Sequence, residues 1–200
     1  MAGAVRRAVT AGTRPRGRRG HGPAAQPGER LDLYEHGVTT AIGGRIQVVR
    51  YDTTEVYLRP VPSARGGTRA CVLTCLTDAD GEPVVLPDGG FGPPEWQDRI
   101  RRAVTGAQVP RALDALTRGA RLTFGAVWIT EDAIGTGGVS LRWTQVQRLG
   151  VVDDRIALRA TGQWQVWPAV ASSTPNLFVL RALTERLAGT APGDGGRADD

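Results

Sequence analysis

Two histidines, His21 and His36, and two cysteines, Cys71 and Cys75, are the side chains of this 200-residue chain best suited to proton transfer or thiolate chemistry near neutral pH. His21 lies in a stretch of Gly, Pro and Arg, where nothing would hold it within about 3 Å of a reacting group. His36 stands between Glu35 and Gly37 at the end of an expected strand. No serine or cysteine adjoins it, so it is expected to pack or cap a turn. Cys71 and Cys75 are four apart in an alternating run, which puts them on one face of a strand roughly 13 Å apart, at about 3.3 Å per residue. A disulfide needs Cα atoms within about 7 Å, so two reduced thiols are expected. Two histidines and no Cys-x-x-Cys pair leave no zinc set.

All 25 basic residues are arginine. Without lysine the chain lacks a Walker A lysine, a Schiff-base nucleophile and the phosphate-binding lysine of protein kinases. The run Gly135-Thr136-Gly137-Gly138 looks like part of a dinucleotide loop, but Val139, Leu141 and Trp143 then alternate as a strand where that fingerprint needs a helix. Asp78-Ala79-Asp80-Gly81 lacks the later ligands of a calcium loop and reads as a hairpin turn. The expectation is therefore no catalytic residue, no metal and no cofactor.

The formal charge of +5 is concentrated at one end. Residues 1–29 carry Arg6, Arg7, Arg14, Arg16, Arg18 and Arg19 against Glu29, while residues 30–200 balance 19 arginines with 19 acids. Residues 1–29 show no apolar periodicity and read as a disordered tail, as do residues 190–200. No run of about 18 apolar residues is present, so no transmembrane segment is expected. The arginines near the start are not followed by an apolar segment, which argues against a secretory signal and for a cytoplasmic protein.

The elements between the tails are mostly strands. Leu31, Leu33 and Val38 flank a Glu35-His36-Gly37 break, and Gly43-Gly44 separates this run from Arg45–Leu58. Thr68–Thr77 and Pro83–Leu86 follow. The period then changes to that of two helices, Pro94–Gly106 and Gln108–Gly119. Strands are expected again over Leu122–Thr130, Val139–Val152, Ile156–Ala160 and Gln163–Trp167. A last helix, Leu177–Ala188, is to be capped by Asn176. Trp96, Trp128 and Trp143 fall on apolar stripes. Trp164 and Trp167, three apart on a strand, must point to opposite faces, so one of them is expected to be exposed.

The halves echo each other. Leu33-Tyr34-Glu35-His36-Gly37-Val38 aligns with Ile129-Thr130-Glu131-Asp132-Ala133-Ile134, Gly43-Gly44 with Gly137-Gly138, and Val49-Arg50-Tyr51-Asp52 with Leu141-Arg142-Trp143-Thr144. This plan resembles the pleckstrin-homology-like superfold and its GRAM-like subgroup, in which a Trp is followed three residues later by Val or Ile. Trp143 and Val146 match that spacing, and Tyr51 and Thr54 match it less well. Tyr34-Glu35-His36-Gly37, Phe124-Gly125 and Pro175-Asn176 also resemble an uncharacterised bacterial family over residues 31–188. The resemblance implies a scaffold and no particular activity.

The fold class expected is α+β, mainly β, with two tandem pleckstrin-homology-like antiparallel halves at 30–120 and 121–189, each closed by a C-terminal helix. The function expected is a non-catalytic binding or scaffold module. Its main partner would be a protein, with Trp164 and Trp167 as candidate contacts. The alternative is an electrostatic anchor in which the arginine tail meets an anionic membrane surface or, nonspecifically, nucleic acid; Arg45, Arg50 and Arg142 are separate candidates for binding anionic lipid headgroups.

Overall fold

A computed structural model describes residues 7–9, 29–61, 70–87, 91 and 95–190. Strands β1 (Arg7–Val9), β2 (Arg30–Leu33), β3 (Gly37–Ile42) and β4 (Arg45–Arg50) form one antiparallel sheet in chain order. Gly43 and Gly44 take φ of 56° and 77° at the β3–β4 turn, a left-handed pair that lets two residues close the hairpin. Leu31, Leu33, Val38 and Val49 point to the buried side. Strands β5 (Val56–Val61), β6 (Ala70–Thr77) and β7 (Pro83–Val85) make a second antiparallel sheet. Helix α1 (Glu95–Thr117) follows, burying Trp96, Ile100 and Val104 at helical spacing.

A second series of elements follows α1. Strands β8 (Leu122–Phe124), β9 (Val127–Ile129), β10 (Ala133–Thr136) and β11 (Val139–Arg142) form a four-stranded antiparallel sheet. Strands β12 (Val146–Val152), β13 (Arg155–Ala160) and β14 (Gln163–Val170) form a three-stranded one, and helix α2 (Leu177–Thr190) closes the series. The chain is thus mainly β, as expected, with four small antiparallel sheets and two α-helices among the described residues.

Some pairs in the two four-stranded sheets correspond in register. Leu33 pairs with Val38 as Ile129 pairs with Ile134, and Gly37 pairs with Arg50 as Ala133 pairs with Arg142. Tyr51 N–H donates to His36 O at 3.1 Å, and Trp143 N–H donates to Asp132 O at 3.1 Å. At both places the chain leaves the sheet, so Arg45–Leu58 and Val139–Val152 are each broken where single strands were expected. The first corner is held by Gln108 Nε2, which donates to Tyr51 O at 3.0 Å and to Thr54 O at 2.9 Å. The second is a 3-10 turn, Trp143–Gln145, in which Trp143 Nε1 donates to Thr130 O at 3.0 Å.

Arg7–Val9 is a strand paired with Leu31–Leu33; an edge strand draws its order from backbone pairing and needs no apolar period of its own. One expectation is corrected: the two expected helices are one, with Pro110 inside it. A proline ring crowds the carbonyl of residue i−4, here Gly106, which has no side chain and open space where a Cβ would stand. Buried Val104 and Val109 before Pro110 and Leu116 after it fix both segments of the helix. The chain divides into two compact units inside α1, at Gln108/Val109.

Candidate functional site

Arg6, Arg14, Arg16, Arg18 and Arg19 lie outside the described residues, and only the backbone of Arg7 is described, in β1. Arg45 and Arg50 end β4 at opposite extremities and, five residues apart, on opposite faces. Arg50 is held by Asp52, with Nε and Nη2 donating to the two carboxylate oxygens at 3.1 and 3.0 Å. This hydrogen bond and the charge beside it raise the Arg50 pKa. Arg142 occupies the equivalent position in the second unit, where Thr144 replaces the acid.

The Tyr34-Glu35-His36-Gly37 turn borders a groove of about 760 Å³ in the first unit. Thr39, Val48 and Tyr51 line it together with the Arg50–Asp52 pair. Gly37 is required here, because a Cβ would overlap the Val49 carbonyl of the neighbouring strand. The His36 imidazole is 90% exposed and 3.9 Å from Glu35. The side chain is mostly exposed beside Glu35, and the backbone carbonyl of His36 ties the turn to Tyr51 N–H. In the second unit the place of Thr39 is taken by Gly135, over which the Trp128 indole lies, with the Arg121 guanidinium stacked on that ring at 4.2 Å.

The tryptophan pair on β14 separates as alternation requires. Trp167 is 3% exposed and belongs to the core, which removes it from the candidate contacts. Trp164 is 47% exposed. It stands on the outer face of the sheet β12–β13–β14, whose pairing defines three cross-strand rows. Arg148, Arg159 and Trp164 form the first. Gly150, Ala157 and Val166 form the second, and Val152, Arg155 and Val170 the third. Between the last two rows β14 carries two extra residues, which keeps its alternation: Trp167 and Ala169 point inward and Pro168 outward.

The Trp164 benzo ring reaches across β13 to Gly150, where a Cβ would come within 2.9 Å of it. Ala157, beneath that path, is fully covered. The ring is thus a plate braced against the sheet. Val152, Val166 and Val170 are exposed around it, as are all three arginines. None of the nine positions holds an acid, and Arg148, Arg155 and Arg159 have no ion-pair partner among the described residues. Arg148 directly opposite Arg159 is a like-charge pair, which destabilises a sheet by a few tenths of a kcal/mol, about 0.2–1 in magnitude. Only knowledge of the strand register reveals this pair.

The rest of the chain offers little chemistry. The Cys75 thiol is free, and burial pushes its pKa up, away from nucleophilic use. Asp78 braces the β6–β7 turn, its Oδ1 accepting from Asp80 N–H at 3.0 Å and Glu82 N–H at 2.8 Å. No cluster of metal-ligating side chains occurs among the described residues.

The sequence pattern of the DUF6585 family of unknown function matches residues 28–191, most of the chain. The chain belongs to this family. No curated protein and no solved structure matches it. The DUF6585 match takes in the turn groove, both corners and the whole Trp164 face, and leaves the arginine tail outside. No helix among the described residues of this DUF6585 member is long and apolar enough to cross a membrane.

Proposed function

We propose that this chain is a non-catalytic binding module built from two pleckstrin-homology-like halves, and that its contact surface is the outer face of the β12–β13–β14 sheet. The observation that carries this reading is the half-exposed Trp164 plate, fixed against Gly150 and surrounded by exposed valines and unpaired arginines. Tryptophan and arginine dominate the energetics of protein interfaces, and an ordered sheet presents them with little entropy left to lose. The repeated plan of four strands, three strands and a helix supports the pleckstrin-homology-like comparison. A protein partner suits the face better than a small ligand does, because the surface is flat and broad.

The test uses the full-length chain as bait in extract from its own cells, beside Trp164→Ala and Val166→Ser variants of unchanged thermal stability. A partner retained by the parent and by Val85→Ser, a change at an exposed valine of the other unit, but lost from both face variants, is the expected result. Equal retention by all four proteins would refute the assignment.

A further inference from the structure

We infer that the partner bound by the Trp164 face is a protein surface whose apolar centre is edged by carboxylates. The inference rests on the binding reading above and adds the chemistry of what is bound. Three exposed arginines stand on one sheet face with no acid at any of its nine positions. Arg148 and Arg159 are directly opposed across a strand pair, an arrangement that costs the free protein stability and that an anionic partner would reverse.

The apolar content decides between kinds of anion. Val152, Val166 and Val170 are all exposed beside the single aromatic plate. A nucleic-acid strand would use stacking rings and phosphate contacts and would leave β-branched side chains unsatisfied. An acidic protein surface uses both parts of the face, packing on Trp164 and the valines while its carboxylates take bidentate bonds from the guanidinium groups. The same face of a second copy does not fit, because it would bring arginines to arginines with no acid at its nine positions to meet them.

The test compares labelled probes by fluorescence anisotropy at near-physiological salt. The protein is the full-length chain with Arg6, Arg7, Arg14, Arg16, Arg18 and Arg19 changed to Gln, so that the tail adds no polyanion affinity. The probes are a random glutamate–tyrosine copolymer, polyglutamate, an oligothymidylate and phosphatidylserine vesicles. The copolymer should bind best, at least about tenfold tighter than polyglutamate, and Trp164→Ala and the Arg148→Glu/Arg159→Glu pair should each weaken it about tenfold or more. Arg148→Gln/Arg159→Gln, which keeps polarity and lowers the risk of misfolding, should give an intermediate loss. If Trp164→Ala abolishes binding while the arginine variants leave it intact, the acidic-partner inference is overturned and the binding face stands. If neither substitution matters, both fail. Tighter, face-dependent binding of the oligothymidylate or of the vesicles would overturn the inference in favour of nucleic acid or membrane.

Discussion

Thr40 and Thr136 hold equivalent places in the two four-stranded sheets, and both are buried. Thr136 Oγ1 donates to Ala126 O at 2.9 Å, whereas Thr40 Oγ1 has no partner among the described residues. A buried hydroxyl without a hydrogen bond costs about 1–3 kcal/mol. We expect Thr40→Val to leave stability unchanged or raise it by up to about 1 kcal/mol, and Thr136→Val to lower it by about 1–2 kcal/mol in urea titrations. Equal losses at both positions would contradict the assignment. Gly150→Ala should dislodge the Trp164 ring, giving a red-shifted, more readily quenched tryptophan emission with little change in the overall fold.

Two phenols give the protein a pH dependence of known sign. Burial pushes the Tyr51 pKa up to about 12. The hydrogen bond that Tyr57 donates to Glu55, at 2.8 Å, pushes the Tyr57 pKa to about 12 as well. A raised folded-state pKa means that the folded chain holds the proton more tightly than the unfolded chain. The stabilisation is complete below about pH 10 and is lost as pH climbs from there through 12. Denaturation at stepped pH should show this decline in the parent and a shallower one in Tyr57→Phe. A decline of unchanged steepness in that variant would exclude the Glu55 contact as its source.

At the scale of elements, α1 pays for Pro110 with a missing backbone hydrogen bond. Restoring the donor by Pro110→Ala, at an exposed position, should stabilise the chain by about 1–3 kcal/mol if the helix is continuous. A loss of stability would instead favour two separate helices. This element also shows why the sequence misled: Gly106 and Pro110 both punctuate helices in isolation, and only burial on both sides of them overrides that signal. The hairpins were easier to read. Their turns fix register locally, so the alignment of Leu33–Val38 with Ile129–Ile134 reappears as identical pairing. Alternation separated Trp164 from Trp167, but alternation alone does not say which face of β14 is covered, so it left open which of the two would be exposed. The Arg148–Arg159 row was illegible for a different reason, because residues eleven apart become neighbours only once β12 and β13 are paired in a definite register.

At the scale of the whole molecule, charge is distributed in two kinds of place. The six arginines of residues 1–19 fall outside the DUF6585 match, while Arg148, Arg155 and Arg159 fall within it. The electrostatic-anchor reading belongs to the first group and predicts strong salt dependence, with a log–log slope near about −5 on duplex DNA if all six engage phosphates. Changing those six to Gln should abolish that slope without affecting partner retention by the Trp164 face. A partner lost with the tail would place the binding determinant there instead.

The central claim, that the outer face of β12–β13–β14 is where a partner sits, is tested most directly by hydroxyl-radical footprinting of the full-length chain, alone and in extract from its own cells. Trp96, Trp143 and Trp167 are buried and serve as internal references. Oxidation of Trp164 should fall several-fold in the extract while the reference tryptophans remain unreactive in both conditions. Trp164 oxidised equally in the two, after correction for radical scavenging at an exposed residue of the other unit such as Ile46, would contradict the claim.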